Sequence, residues 1–287
     1  MTSSLYQQIQ QFYDTSSLLW EQVWGEHMHH GYYGATGRQR KERRQAQIEL
    51  IDRLLAWGQV SQASHILDVG CGIGGSTLYL AEKFKAAAIG ITLSPVQAER
   101  ATARAIAAKL ADSAQLPHAA FQVVDALNTP FEDNQFDLIW SMESGEHMPD
   151  KRQFLQECFQ LLQPGGTFLM ATWCHRPTDS LAGPLTATEQ KHLEDIYQVY
   201  CLPYVISLPE YEAIAQGIGF QNITTADWST AVAPFWDEVM FSALNLEAVS
   251  GLIQAGWPAI QGAFALRLMS QGYQKGLLRY GLLCATK

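Results

Sequence analysis

Leu67-Asp68-Val69-Gly70-Cys71-Gly72-Ile73-Gly74-Gly75 leads from a short apolar segment into a cluster of glycines and on into a helical pattern that reaches Phe84. A strand that turns sharply into a helix needs residues tolerant of positive φ, and glycines also let a ligand approach the backbone. The first turn of the following helix leaves N–H groups free for a negative group. The stretch therefore predicts a site for an anionic or carboxylate-bearing nucleotide cofactor. Gly70, Gly72 and Gly75 also satisfy the G-x-G-x-x-G spacing of dinucleotide sites, a weak match by itself. Such sites usually carry an acid at the end of the second strand to hold the ribose. Here that strand ends Gly90-Ile91-Thr92-Leu93-Ser94-Pro95, without a carboxylate. Asp68, beside the loop, suits a cofactor with an ammonium group better than a pyrophosphate.

Outward from the loop, short apolar runs alternate with helical patterns: HILDV, AAAIGITL with a helix to Leu110, AAFQVV, DLIWSM with a helix to Leu162, and TFLMATW. Such alternation predicts parallel strands joined by crossover helices. Pro164-Gly165-Gly166 predicts the turn into the fifth strand. A helix over 209–217, a strand over 222–228, further helices and a last strand over 279–286 follow. The expected fold is α/β, a Rossmann-like doubly wound sheet of seven mostly parallel strands. Residues 1–60 form an amino-terminal segment with helices over 4–24 and 40–57, covering the active site, and 61–287 form the cofactor-binding domain. Within that domain the polar stretch 175–209 is expected to be a lid, and about 232–272 a helical cap. The basic cluster from Arg38 to Arg44 reads as a solvated helix start.

A length of 287 residues at 47% hydrophobic supports one sizeable core. The excess of 28 acidic over 19 basic residues gives a formal charge of −9, which repels a phosphate backbone, so nucleic acid is not an expected partner. Five cysteines without a C-x-x-C pair read as reduced thiols of a cytoplasmic protein. MTSSLYQQIQQFYD has neither the charged start nor the apolar run of a targeting signal. No stretch reaches the roughly 18 apolar residues of a spanning helix. A soluble or membrane-peripheral protein is expected, and nothing in the pattern sets an oligomeric state.

LDVGCGIGG, VVDALNTPF, FDLIWSMESGEH and LLQPGGTFLM resemble, in order and spacing over roughly 60–175, the successive motifs of class I S-adenosylmethionine methyltransferases. That resemblance implies that Asp68, Gly70, Gly72 and Gly74 hold the methionine end of the cofactor, with Cys71 in the same loop. Asp125 and Ala126 would reach the adenine. Thr92-Leu93-Ser94 and Gln97 resemble the cyclopropane-synthase and tocopherol-type variant, in which hydroxyl, amide and main-chain groups hold the ribose. Ser141, Met142 and Tyr33 complete the expected cofactor wall. The rival readings are a nicotinamide oxidoreductase, which shares the strand-loop-helix start, and a catalytically silent cofactor-binding protein.

Ligands of open α/β sheets sit beyond the carboxyl ends of the strands. The tips expected there are Glu143-Ser144-Gly145-Glu146-His147 and Thr172-Trp173-Cys174-His175. Methyl transfer aligns a nucleophile behind the methyl, and a phenol must lose its proton to become electron-rich at oxygen and ortho carbon. His147 is the first expected base, with Glu146 or Glu143 orienting it or acting directly. The aromatic and histidine-rich bend 27–33, including His30, is the second expected wall. His27, His29, His30 and His175 match no standard ligand spacing, so no metal is expected.

GEHMHHGYYG, SMESGEHMPDK, TWCHRP and ADWSTAVAPFW resemble the tocopherol methyltransferases of photosynthetic organisms, in the bacterial type without a transit peptide. This implies methylation of a chromanol carbon ortho to the phenolic oxygen, γ- to α-tocopherol and δ to β. Nitrogen methyltransferases of indole-type alkaloids share much of the motif set and are the alternative. A prenyl-tailed, small hydrophobic substrate needs an apolar channel, for which Phe235, Trp236, Phe241, Leu244, Trp257, Phe264 and Leu268 are candidates.

Overall fold

Seven strands form a single sheet in the order β3-β2-β1-β4-β5-β7-β6 in the computed structural model, which describes residues 2–111, 115–245 and 257–287. The strands are β1 (His65–Val69), β2 (Ala87–Thr92), β3 (His118–Val123), β4 (Phe136–Met142), β5 (Leu162–His175), β6 (Gln221–Asp227) and β7 (Leu278–Thr286). Strands β1 to β5 pair in parallel, and β7 runs antiparallel between β5 and β6. β1 and β4 are buried almost throughout, as a parallel sheet covered on both faces requires. The chain passes from β1 to β2 and β3 on one side, then returns to β4 and β5 on the other. The strand order thus reverses between β1 and β4, and their carboxyl tips open a crevice.

Helices cover both faces. Helix α2 (Arg43–Trp57) packs on one side with Leu50, Leu54, Trp140 and Tyr280, and α5 (Lys151–Leu161) on the other with Phe154, Leu67, Phe168 and Leu283. Helix α1 (Thr2–Trp24) lies against α4 (Pro95–Ala107), and α3 (Gly75–Phe84) follows the glycine loop. The five cysteines are free thiols. No helix among the described residues is long and apolar enough to cross a membrane.

Four details differ from the sequence reading. The Pro164-Gly165-Gly166 turn lies inside β5 rather than before it, because Gly165 N donates to Lys287 O and Lys287 N to Gly166 O, pairing the turn with the chain end. The polar stretch 175–209 contains a full helix, α6 (Ala187–Tyr200), started by a capping box between Thr186 and Glu189. Helix α2 starts at Arg43, capped by the Glu42 carboxylate, so the front of the basic cluster lies outside it. The expected cap resolves into α8 (Ser229–Val232), α9 (Pro234–Asn245) and α10 (Trp257–Gln274). Residues 246–256 lie outside the described residues, as do the side chains of Phe241, Leu244, Trp257 and Phe264. Phe235, Trp236 and Leu268 are buried in the core.

Candidate active site

The glycine loop occupies the crevice end of β1. Gly70, Gly72 and Gly74 all have positive φ, and a Cβ on Gly74 would meet the Phe121 ring at 2.6 Å. Gly70 N and Cys71 N donate to Ile91 O, which ties the loop to the end of β2. A Cβ on Gly72 would meet nothing nearer than Met28 Sδ at 3.8 Å, so this glycine faces the cleft. Asp68 is 2% exposed and its Oδ2 accepts the Thr77 hydroxyl at 2.6 Å. Burial pushes its carboxyl up to about 7 against that hydrogen bond. A buried carboxylate held in this state is stabilised by a cation placed against it.

Beyond β2 and β3 the same cleft continues along Thr92, Leu93, Gln97, Val124, Asp125 and Ala126. Thr92 Oγ1 donates to Gln97 Oε1 at 2.7 Å, which leaves the Gln97 amide as a donor group. Asp125 Oδ1 accepts from Leu127 N, and the carboxylate is bonded by the Tyr6 hydroxyl, whose pKa burial and Asp125 push up to about 12. The cleft opens to solvent, and the space inside it counted out to its mouth is about 1340 Å³.

The tip of β4 supplies the other wall. Glu143 has φ +54, a left-handed conformation that costs energy outside glycine. Four donors hold it: His30 N at 2.7 Å and Tyr280 Oη at 2.9 Å on Oε1, His30 Nδ1 at 2.8 Å and Trp173 Nε1 at 3.2 Å on Oε2. Burial pushes Glu143 up, but the neighbouring His30 and its hydrogen bonds outweigh this and hold the carboxyl below the usual range. Glu146, on the 3-10 turn Gly145–His147, accepts the Thr172 hydroxyl at 2.7 Å. Burial, and then the charge of Glu143, push its pKa up to about 8. Two carboxyl groups in one wall are thus driven apart, one ionised and one protonated at neutral pH.

His147 Nε2 accepts the Tyr13 hydroxyl of α1 at 2.6 Å. Burial, with the nearby positive charge of Lys151, lowers its pKa to about 3, so it is a neutral imidazole. Burial likewise raises the Tyr13 phenol. Helix α1 roofs the cleft with Tyr6, Ile9, Phe12 and Tyr13, which recur at helical spacing. It is fastened by Asp14 to the Ser94 hydroxyl and by Glu21 to Arg100 on α4. Burial keeps His29 neutral, and its ring lines the cleft beside that of His27.

Of the residues singled out in the sequence, Asp68, Gly70, Cys71, Gly72, Thr92, Leu93, Gln97, Asp125, Ala126, Met142, Glu143, Glu146 and His147 line this one cleft. Five do not. Ser94 caps α4 through Gln97 N and is tied to Asp14. Gly74 packs under Phe121, and Ser141 is bonded to Ser144. Tyr33 is a core residue at 1% exposure, because the bend turns inward after His29. His30 stands behind Glu143 among Trp173, Phe235, Trp236, Tyr273 and Tyr280. The sequence reading missed Tyr6 and Tyr13, whose only local signal is an apolar helical stripe, and Tyr200, which reaches the cleft from α6.

The cleft fits an adenosyl amino acid bearing positive charge, with acids at both ends and an open glycine floor. A family model for a methyltransferase domain matches residues 67–170. The chloroplastic tocopherol O-methyltransferase of Arabidopsis thaliana is 43% identical over 295 residues, covering all of this chain and 83% of that protein. The norajmaline N-methyltransferase of Rauvolfia serpentina is 30% identical over 290 residues, covering 98% of each. The crystal structure of geranyl diphosphate C-methyltransferase from Streptomyces coelicolor A3(2), in complex with Mg²⁺, geranyl diphosphate and S-adenosyl-L-homocysteine, shares the fold. Its TM-score is 0.75 at 20% identity, covering 98% of this chain and 97% of that one. The nicotinamide reading is thereby set aside, and the chain belongs to the class I S-adenosylmethionine-dependent methyltransferases, in the family that includes the tocopherol methyltransferases.

Proposed function

We propose that the enzyme methylates the ring carbon ortho to the phenolic hydroxyl of a tocopherol-type chromanol, γ- to α-tocopherol and δ to β. The observation that carries this reading is a buried, cleft-lining carboxyl, Glu146, with its pKa pushed up to about 8, in a chain 43% identical to a tocopherol methyltransferase. S-adenosylmethionine supplies an electrophilic methyl on a sulfonium centre. Asp68 and the glycine loop would hold its amino-acid end, Thr92 and Gln97 the ribose, and Asp125 with Ala126 the adenosine side.

Glu146 takes the phenolic proton in its ionised form, the minor one at neutral pH, so the rate should rise as pH climbs toward about 8. A phenol near pKa 10 gives up its proton more readily to a base near 8 than to an ordinary carboxylate, and the resulting charge spreads onto the ortho carbon; that carbon bonds the methyl as the methyl–sulfur bond breaks, then loses its hydrogen as a proton while the oxygen regains one. We therefore assign the base to Glu146 rather than first to His147, because burial leaves that imidazole a weak proton acceptor already engaged by Tyr13. Glu143, with both oxygens engaged by donors, keeps its charge on the cleft wall, where it would favour a sulfonium cation. Helix α1 closes over the cleft and excludes water, with the Tyr13–His147 bond fastening it above the reacting centre.

Nitrogen transfer to an indole-type amine is the second reading, favoured by the alkaloid methyltransferase similar over 98% of both chains. Incubation with methyl-labelled S-adenosylmethionine, γ- and δ-tocopherol, methyl-phytyl hydroquinones and indole amines separates the readings. Carbon transfer predicts a labelled chromanol whose phenol still titrates. Label on oxygen, or only on an amine, overturns the proposal. A prenyl-tailed acceptor dissolves in bilayers, so we read the protein as binding membrane surfaces peripherally, which liposome co-sedimentation checks.

A further inference from the structure

One buried cation at the β4 tip has no part in the reaction as described. Lys151, the first residue of α5, is 2% exposed, although a buried lysine loses its hydration at a cost. Its Nζ donates to Gly145 O at 2.8 Å, Glu146 O at 3.0 Å and Met148 O at 2.7 Å. An ammonium has three N–H donors and no acceptor, so three carbonyls use it completely. The Tyr204 ring covers it, 4.7 Å from Nζ to the centroid.

These carbonyls belong to the turn that carries Glu146 and His147. Within that turn the backbone makes short-range bonds, His147 N to Ser144 O at 3.0 Å and Met148 N to Gly145 O at 3.2 Å. A single turn of this kind is a poor fixture for two side chains that must point into a cleft, since the carbonyls at its end lack further helix to pair with. The ammonium gathers them onto one point and fixes the planes of the peptides on either side of Glu146 and of the one that follows Met148.

We propose that Lys151 is a positioning residue, a three-pronged staple that aims Glu146 and His147 into the cleft. The inference rests on the reading of Glu146 as the base. Arginine is not an equivalent, because its planar fork cannot aim three N–H bonds from one nitrogen at three carbonyls. Burial lowers the Lys151 pKa to about 7 although Glu146 favours its charged form, and when charged it lowers the proton affinity of Glu146 and His147. The titratable groups facing it are Glu146 and His147 on the turn, Cys174 on β5, Tyr204, and Tyr211 of α7 (Leu208–Ile218), which also bonds Gly145 O.

The test compares full-length wild type, Lys151→Met and Lys151→Arg. Wild type is first assayed on the acceptor panel; failure there counts against the chromanol reading, and whichever acceptor is methylated serves for the variants. S-adenosylhomocysteine affinity is measured in parallel. The staple predicts that Lys151→Met loses about 10- to 100-fold in kcat while its S-adenosylhomocysteine Kd stays within about threefold. Its rate profile should also shift to higher pH, as Glu146 loses a neighbouring positive charge. Lys151→Arg should restore the profile but leave kcat at least about fivefold down. Wild-type kcat and an unmoved profile in Lys151→Met, or loss of S-adenosylhomocysteine binding in both variants, overturns the proposal in favour of a purely structural lysine.

Discussion

The two ends of the cleft are built in opposite ways. At the β1 end the chain makes its site with backbone: glycines at positive φ, a helix start, and one carboxylate, Asp68, bonded nine residues away to Thr77. At the β4 end it uses side chains gathered from far apart: Glu143 bonded to His30 and Tyr280, and His147 bonded to Tyr13 across 134 residues. The first arrangement tolerates any chemistry on an adenosyl donor. The second is where we propose that the acceptor is activated, and there the pKa values of two carboxyl groups are separated.

The comparison breaks if the β4 end also serves mainly to bind cofactor. Glu146→Gln removes the proposed base while keeping the side-chain shape. We expect kcat to fall about 100- to 10,000-fold, the range for general-base loss, with S-adenosylhomocysteine affinity, read by calorimetry, nearly unchanged. Asp68→Asn should do the reverse, weakening cofactor binding about 10- to 100-fold with a smaller effect on kcat at saturation.

Protonation sharpens the contrast. Asp68 is pushed up to about 7, and a cationic ammonium favours its ionised form. Wild-type cofactor affinity should therefore rise with pH up to about 7 and level off above it, with a proton released on binding below 7. Calorimetry in buffers of different ionisation heat checks this, and Asp68→Asn should flatten both effects.

Glu143→Gln tests the separation of the carboxyl groups. Loss of its charge should move the rate profile of Glu146 to lower pH. The new amide N–H would face donors, and each unmade bond to a buried polar group costs about 1–3 kcal/mol, so thermal melting should fall as well. Tyr13→Phe is expected to be the mildest change, about fivefold in kcat for one lost hydrogen bond of roughly 1 kcal/mol.

The same contrast explains what the sequence reveals. The seven strands and the glycine loop are legible because apolar runs and turn residues act locally; Asp68 stands out beside that loop, whereas Thr92, Gln97 and Asp125 are assigned by resemblance to methyltransferase motifs. Helix α6 was readable in principle from Thr186 and Glu189 followed by Leu193, Ile196 and Tyr200, yet surrounding polar residues masked it. Tyr6 and Tyr13 were not, since an amphipathic helix does not say what its apolar face will cover. Ser94 and Tyr33 show the converse: a cap and a core residue carry the residue types of a binding site without facing one.

The most direct test is to give wild type and Glu146→Gln ¹³C-methyl S-adenosylmethionine and γ-tocopherol and to locate the label by NMR. The account predicts label on the ring carbon beside an intact phenol, formed by wild type and nearly absent with Glu146→Gln, although both proteins bind S-adenosylhomocysteine alike. Label on oxygen, or equal turnover by the two proteins, would contradict it.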